Sequence, residues 1–280
     1  MRQRLIWLMM AIVAGVPAFG GPISVNLNTA SSFGLLGGTI SNTGTSVIMG
    51  NVGVKDAAGT ITGFNPDGTT VGGSVIAPGS TASNNAYIDF VNAFNSAVGL
   101  ASTQTFADLT VNRTFVGNNV YTFNTPNIST TTGITLTFDA QNDPTEVFVI
   151  RTDAAFTANG ALAFTLQNQA QANHIFWIVG TIATISVGSS GPITFDGSIL
   201  AGQSFTMSSA SGGTGVLAGT INGCVFAETA NTLAGTTNVN GCSSAANGVP
   251  EPGSLELMGF GGLLGILAWR KFGASHARTV

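Results

Sequence analysis

The sequence predicts an all-β fold with one long helix, organised as a discontinuous β-solenoid with the helix packed along its side. Three observations support this prediction. Short apolar runs alternate with small polar residues between Gly, Asn, Asp and Pro turns, a loose three-strand pattern repeats, and one segment has helical periodicity. Residues 21–248 have a length compatible with a single domain of this class.

The repeat consists of an apolar run, a segment in which Thr or Ser alternates with other residues, and in several cases a third short run. It recurs about every 22 to 28 residues between Val120 and Ile221. Units of this kind bury their apolar sides only against their neighbours in a stack, which makes a β-solenoid. The residues predicted to point inward are Phe138, Phe148, Phe156, Phe164, Ile185, Phe195, Phe205 and Met207.

One segment, Ser83 to Leu100, breaks the strand pattern. Its apolar residues are spaced by one, three and four positions, which predicts a helix over residues 83–100 with Ser83 as its N-cap. Before it, Phe33 to Val54 has the pattern of one repeat unit. The first unit is therefore separated from the others by an insertion and the helix, so the solenoid is predicted to be discontinuous. The apolar stripe of the helix is Ala86, Tyr87, Phe90, Val91, Phe94 and Val98.

The body of the chain is rich in Thr and nearly free of charge. Residues 21–248 contain 34 Thr but only three basic residues, Lys55, Arg113 and Arg151. A protein that binds nucleic acid or anionic lipid would carry clusters of basic residues, so the sequence excludes both of these functions for the body of the chain. A typical soluble surface is about a quarter to a third charged. This surface is instead suited to water or to a neutral polar lattice.

The N-terminus has the three parts of a secretory signal. Arg2 and Arg4 are followed by an apolar run from Leu5 to Val16 and by the small-x-small sequence Ala18-Phe19-Gly20. We therefore expect residues 1–20 to be a signal peptide. The alternative is that this segment is a buried first strand or helix of the fold.

The C-terminus, residues 249–280, has a second such arrangement. Val249-Pro250-Glu251-Pro252 precedes a short apolar stretch, residues 255–269, and the basic pair Arg270 and Lys271. The stretch is shorter than the ~20 residues of a stable span, and the basic pair fits the positive-inside rule. These parts resemble the PEP-CTERM sorting tail of Gram-negative bacteria. The resemblance implies an exosortase partner, a transient membrane anchor, and release to the cell surface or extracellular matrix. A simple C-terminal anchor is the alternative.

Only two cysteines occur, Cys224 and Cys242. In an oxidising compartment we expect a disulfide between them, which would stabilise the fold by roughly 3 kcal/mol. A free buried pair is the alternative. The spacing is not that of a zinc site, and we expect no metal and no cofactor.

Several segments, in this order and around this helix, resemble the ice-binding proteins with a discontinuous β-solenoid and an accompanying α-helix. The resemblance covers roughly residues 27–223 and implies adsorption to ice through one flat solenoid face, without catalysis. Its main segments are Ser32-Phe33-Gly34-Leu35-Leu36-Gly37-Gly38-Thr39-Ile40-Ser41-Asn42-Thr43-Gly44, Gly50-Asn51-Val52-Gly53-Val54, Ile61-Thr62-Gly63-Phe64, Leu136-Thr137-Phe138-Asp139-Ala140-Gln141-Asn142-Asp143-Pro144, Val147-Phe148-Val149-Ile150, Asn173-His174-Ile175-Phe176-Trp177-Ile178-Val179-Gly180 and Gly197-Ser198-Ile199-Leu200-Ala201.

The candidate ice-binding face is built from outward Thr, Ser and Asn side chains. Outward Thr on stacked strands would form a regular array of methyls and hydroxyls that is stiff at χ1. The predicted set is Thr39, Ser41, Thr43, Thr130, Thr132, Thr157, Asn159, Thr184, Ser186, Thr206 and Ser208. A second face with Thr135, Thr137, Ala163, Thr165 and Thr194 is less favoured, because Asp139 and Asp196 lie close to it. The simpler explanation of any one Thr is that it is a good strand residue.

Two other functions compete with ice binding: an enzyme, and a structural or glycan-binding protein. An enzyme on a β-helix would need clustered carboxylates or a base, and the densest group, Asp139, Asp143 and Glu146, has the composition of a turn. His174 is the only His in residues 21–248, so a catalytic triad lacks support. The stronger rival is a structural or glycan-binding, adhesin-like protein of the exopolysaccharide matrix. Membrane contact is expected only through the C-terminal tail.

Overall fold

The computed structural model describes residues 22–64, 68–125, 127–186, 191–208 and 217–242. The predicted signal peptide and the predicted tail lie outside these residues. The described part has one α-helix, α1 (Thr81–Val98), two short 3-10 helices (Asn28–Ser32 and Ala172–His174), and the strands β1 (Phe33–Asn42), β2 (Ser46–Met49), β3 (Asn51–Val54), β4 (Ile61–Thr62), β5 (Gly68–Val71), β6 (Gln104–Asp108), β7 (Arg113–Val116), β8 (Asn119–Thr125), β9 (Asn127–Asp139), β10 (Phe148–Thr152), β11 (Phe156–Gln167), β12 (Ile175–Val179), β13 (Ile182–Ser186), β14 (Ile193–Asp196), β15 (Ser198–Ala201), β16 (Ser204–Ser208), β17 (Leu217–Asn222), β18 (Val225–Ala234) and β19 (Thr236–Val239).

The strands form two sheets in which the paired strands run parallel. One sheet has 14 strands, and the other has five in the order β14-β17-β19-β2-β5. The long strands β9, β11, β18 and β1 each pair with different neighbours along their length. The chain is mostly β with one helix, as the sequence predicts, but β6, β7, β18 and β19 lie outside the predicted repeat.

The N-terminal strands join the stack beside the C-terminal ones. β1 pairs with β18 on one side, with Leu35 opposite Val225 and Ser41 opposite Thr232, and with β3 and β4 on the other. The helix and β6 to β17 lie between β1 and β18 in the sequence. β1 is therefore separated in sequence from β18, its neighbour in space.

The inward side chains of three groups of strands meet in one core. Phe156 of β11, Trp177 of β12 and Phe195 of β14 contact one another, with ring centroids 5.1 to 6.0 Å apart. The residues predicted to point inward are buried, except that Phe164 is only partly buried. The three groups of strands therefore bound a common core and present three outer surfaces.

We name these surfaces by what they carry. The helix flank consists of β3, β6, β8, β10, β12, β15 and the N-terminal halves of β1 and β18. The hydroxyl flank consists of β4, β13, β16, the N-terminal halves of β9 and β11, and the C-terminal halves of β18 and β1. The third flank consists of β7, the C-terminal halves of β9 and β11, and the five-stranded sheet.

Helix α1 covers the helix flank. Its buried residues include Ala86, Phe90 and Phe94, which pack in a second apolar cluster with outward side chains of the sheet such as Leu200 and Phe226. The predicted start and cap were wrong. The helix begins at Thr81, and Ser80 is the N-cap, because Ser80 has an extended backbone and its hydroxyl accepts from Ser83 N at 3.2 Å.

Helix α1 is also held by polar contacts, one near its middle and one at its C-terminus. Asp89 accepts hydrogen bonds from the backbone N–H and the hydroxyl of Thr29. At the helix C-terminus, Arg151 donates to the carbonyls of Val98 and Leu100 and to the Thr122 hydroxyl. Basic groups at this position satisfy carbonyls that lack an intrahelical partner.

Cys224 and Cys242 form a disulfide with a Cα–Cα distance of 4.7 Å. Both cysteines are buried in the cluster beneath the helix. Within the described ranges, no helix is both long and apolar enough to cross a membrane.

Candidate functional site

The hydroxyl flank is an unbroken parallel ladder of seven strands, in the order β9-β11-β13-β16-β18-β1-β4. Adjacent strands in such a ladder lie about 4.8 Å apart. Residues in register therefore form columns that run across the strands.

A central column of mostly Thr crosses all seven strands. Thr184 of β13 is in register with Thr157 of β11 on one side and with Thr206 of β16 on the other. The complete column is Asn127, Thr157, Thr184, Thr206, Thr232, Ser41 and Thr62.

The alternation of burial shows which way these side chains point. Ala158, Ile185, Met207 and Leu233 follow the Thr residues of the column and are buried in the core. Thr157, Thr184, Thr206 and Thr232 are half-buried by their neighbours in the column. Successive side chains on a strand point to opposite faces, so the Thr side chains point outward. Their branched Cβ atoms restrict χ1, and the surface is a stiff row of methyls and hydroxyls.

Two flanking columns are less regular. On one side lie Asn159, Ser186, Ser208 and Ala234, where the Ser208 hydroxyl donates to the Ser186 hydroxyl at 3.3 Å. On the other side lie Ile182, Ser204, Ala230 and Thr39. Ile182 is 40% exposed, so apolar surface is mixed with hydroxyls.

The structure corrects the predicted face at both ends of the stack. Thr130 is in register with Gly160, whereas Asn127 and Ser129 are the residues opposite Thr157 and Asn159. Thr130 and Thr132 therefore do not occupy the columns that contain Thr157 and Asn159. Thr232 and Thr62 do belong to the central column and were missed.

Three predicted residues come from β1 and the turn after it, and they have different places. Ser41 lies in the central column and Thr39 in a flanking one. Thr43 follows β1, and its hydroxyl accepts from Gly235 N at 3.2 Å and lies 3.4 Å from the Leu233 carbonyl oxygen. The Thr43 hydroxyl therefore fastens the turn to β18.

The third flank also carries Thr columns, but its ladder is interrupted. Thr137 is in register with Thr114 and Thr165, and Thr194 with Thr220. However, β11 and β14 belong to different sheets. Of the two flanks that carry Thr columns, only the hydroxyl flank has a continuous column of Thr, Ser and Asn across seven described strands.

The acidic turn residues do not form a catalytic constellation. Asp139 accepts from Gln141 N and Asn168 Nδ2, and Asp143 from the N–H and hydroxyl of Thr145; these hydrogen bonds lower the pKa of both carboxyls. Burial raises the pKa of Glu146.

His174 and Trp177 have structural surroundings. Burial lowers the pKa of His174, and the nearby backbone of Pro144 and Glu146 partly opposes this shift. In the part of the chain that the structure describes, no three His, Cys, Asp or Glu residues are arranged to hold a metal ion. Trp177 is 1% exposed and its indole N–H donates to the Asp196 carbonyl, so it is not a surface for stacking sugars.

Comparisons with known proteins agree on one family. A family model described as ice-binding-like matches residues 35–240. An ice-binding protein of Nostoc sp. (strain HG1) is 31% identical over 250 residues, which are 88% of this chain and 86% of the relative.

Solved structures of ice-binding proteins have the same fold. The protein from the Antarctic ascomycete Antarctomyces psychrotrophicus is 29% identical with a TM-score of 0.63, and the match covers 78% of this chain and 98% of that one. A protein from an Antarctic biological consortium, 23% identical, has a TM-score of 0.62 over 84% of this chain and 96% of its own length. Proteins of this family are not enzymes. The chain belongs to the ice-binding-like family.

Proposed function

We propose that the protein is a secreted β-solenoid that adsorbs to ice through its hydroxyl flank and thereby inhibits ice growth or recrystallisation. The observation that carries this proposal is the central column, in which Thr157, Thr184, Thr206 and Thr232 stand in register on four adjacent strands. Ser41 and Thr62 extend it onto the N-terminal strands.

A flat surface binds a crystal when its own groups repeat with fixed spacing. The strand spacing of about 4.8 Å sets one period, and the alternation along each strand sets the other. Stiff Thr side chains lose little entropy when they are immobilised on binding. Strongly hydrated charges would disturb ordered water, and the described residues of the three columns include no Asp, Glu, Lys or Arg.

The solenoid interpretation is supported by the order of the strands. From β10 to β18 the chain visits the helix flank, the hydroxyl flank and the third flank in turn. On the helix flank and the hydroxyl flank each strand pairs with its counterpart in the next visit. Each unit contributes inward side chains to the same core. Stacking of this kind would keep the Thr columns in register.

Export is proposed from the two ends of the sequence. Residues 1–20 have the composition of a signal peptide, and residues 249–280 carry the Val249-Pro250-Glu251-Pro252 motif of a PEP-CTERM-like tail. An exosortase-type enzyme would remove the tail and release the protein to the cell surface or matrix. A disulfide-bonded pair fits such an oxidising compartment.

The test is ice recrystallisation inhibition and thermal hysteresis of the full-length protein and of a Thr157→Tyr, Thr184→Tyr double variant. Two bulky side chains in the central column should prevent flat contact between the hydroxyl flank and ice and should strongly reduce both activities. Asn92→Tyr is the matched control, because Asn92 is exposed on α1. If the folded parent shows neither activity, ice is not the ligand. If the double variant remains fully active, the hydroxyl flank is not the ice-binding surface.

A further inference from the structure

We infer that the third flank is a second ice-binding surface, which contacts ice planes different from those bound by the hydroxyl flank. This inference rests on the proposed function and extends it to a surface built from other strands. It predicts that one molecule recognises two orientations of the ice lattice.

The third flank carries its own in-register columns. In the five-stranded sheet, Thr194, Thr220, Asn238 and Val47 occupy one column on four adjacent strands. On the other side of the gap between the sheets, Thr137 is in register with Thr114 and Thr165. The third flank thus has one column on three strands and another on four strands, and each resembles a shorter version of the central column.

The longer column points outward. Phe195, Ile221, Val239 and Ile48 follow the residues of the longer column, stand in register with one another, and are fully buried. Thr194 is exposed, while Thr220 and Asn238 are half-buried. In this column the same alternation of core and surface therefore holds as on the hydroxyl flank.

The acidic residue beside the longer column is shielded from the contact surface. Asp196 ends β14 two residues after Thr194, but it is only 7% exposed and its carboxylate accepts from Asn222 Nδ2 at 2.6 Å. Asn222 in turn accepts from Asn240 Nδ2 at 2.6 Å. Of the two acidic residues that count against this face in the sequence, Asp196 is thus mostly buried and hydrogen-bonded. Asp139, at the end of β9, is only half-buried but accepts hydrogen bonds from Asn168 Nδ2 and Gln141 N.

The two surfaces cannot lie on one ice plane together. Phe156, Trp177 and Phe195, one from each flank, are in mutual contact in the core, so the flanks surround it and face different directions. A rigid molecule presents one flat surface at a time. Each flank should therefore select its own plane, and the interrupted third flank should bind more weakly.

The experiment is to grow a single ice crystal in the presence of the fluorescently labelled full-length protein and to record which planes take up the label. Three variants are compared: Thr184→Tyr on the hydroxyl flank, Thr220→Tyr on the third flank, and Asn92→Tyr on the exposed side of α1 as the control. Thr194→Lys is a second third-flank variant, because Thr194 is exposed and its replacement does not disturb the core. Circular dichroism and thermal unfolding establish that each variant is folded.

We expect the parent and the control to label two sets of planes, and each flank variant to lose one set and keep the other. If both third-flank variants label the same planes as the parent, or if Thr184→Tyr removes all labelling, the third flank does not bind ice although the proposed function stands. If the parent labels no plane, the proposed function itself fails.

Discussion

Two columns of seven residues cross the same stack, one on the helix flank and one on the hydroxyl flank. The helix-flank column is Thr122, Arg151, Ile178, Leu200, Phe226, Leu36 and Gly53. The hydroxyl-flank column has mostly Thr at the corresponding places. Both point away from the core of the stack, but helix α1 covers the first, whereas no described element covers the second.

The difference shows how outward chemistry decides what covers a sheet. Ile, Leu and Phe must be removed from water, and α1 packs Phe90 and Phe94 against them. The column changes character where the helix ends. Arg151, which also donates to the Thr122 hydroxyl, meets its C-terminus. At the other end Gly53, where a Cβ would collide with Ser83, admits the first turn of the helix. Thr needs no such cover, so the hydroxyl flank is left for water or ice.

The largest effect should follow from removing the centre of the helix contact. Phe90 is fully buried and packs against Phe226 at 5.6 Å between ring centroids. Phe90→Ala should lower the free energy of unfolding by about 3–5 kcal/mol, through lost burial and a cavity. Urea denaturation measures it. Ile88→Ala is the control, because Ile88 is 57% exposed on the same helix, and should change stability by less than about 0.5 kcal/mol.

Phe90→Ala should affect stability without affecting ice activity. Below its unfolding temperature, the variant should retain ice activity, because Phe90 packs on the helix flank and not in the hydroxyl columns. A folded variant without ice activity would mean that the two flanks are not independent.

A smaller loss is expected at the polar end of the helix-flank column. Arg151→Gln removes the hydrogen bonds to the Val98 and Leu100 carbonyls and should cost about 1–3 kcal/mol, because groups at the helix end lose their partner. Arg151→Lys is the matched control and should restore only part, since a single ammonium cannot reproduce the planar fork. Both are compared by their midpoints in urea. Equal stability of the two variants would mean that the charge contributes nothing, whereas an Arg151→Lys variant as stable as the parent would mean that the charge alone matters.

How far the columns were predictable depends on the residues in each strand. Phe156, Phe205 and Met207 alternate clearly with polar neighbours, so their burial and the outward direction of Thr157 and Thr206 follow from period-two alternation. Residues 129–132 are four consecutive hydroxyl residues, Ser-Thr-Thr-Thr, and no alternation fixes their register.

Thr232 was hidden for a different reason. Its strand carries Asn231 at an inward position, where an apolar residue would be expected. The Asn231 amide donates to the Leu36 carbonyl at 2.9 Å, a contact 195 positions away in sequence that follows only from the pairing of β18 with β1. The helix cap was misplaced by three residues, because Ser80 and Ser83 are equally good candidates in composition.

Two carboxyls at the border of the third flank, Asp196 and Asp139, should affect stability in opposite ways as the pH falls. Burial raises the pKa of Asp196, partly offset by Asn222, so its folded form favours protonation. Its contribution to stability is then greatest below the ordinary pKa of about 3.8 and is lost as the pH rises through the raised value. Asp196→Asn should therefore be neutral or stabilising at about pH 7 and should gain nothing on acidification.

Asp139 provides the matched control for this pH dependence. Hydrogen bonds from Asn168 and Gln141 lower its pKa, so its contribution is present above the ordinary value and is lost as the pH falls through the lowered one. Asp139→Asn should reduce stability at neutral pH and bring the variant closer to the parent in acid. Melting temperatures between about pH 7 and pH 3 distinguish the variants. The same pH profile for both would contradict the assignment of opposite shifts.

The smallest change in stability should come with a gain of function. Ser186 and Ser208 lie beside the central column, and the hydrogen bond between their hydroxyls holds them in line. Replacing both with Thr adds two methyls and restricts χ1, so the flanking column should resemble the central one more closely. We expect stability to change by less than about 0.5 kcal/mol, and ice recrystallisation inhibition to increase.

Thr184→Ser is the matched reverse change, because it removes one methyl and one branch point from the central column without adding bulk. It should weaken the inhibition while leaving the fold intact. If the Ser-to-Thr variant is no more active than the parent although Thr184→Ser is weaker, the central column alone contacts ice. If neither change alters activity, then methyl order is not what distinguishes the hydroxyl flank from any other polar surface of the molecule, and its match to ice must lie in the backbone spacing.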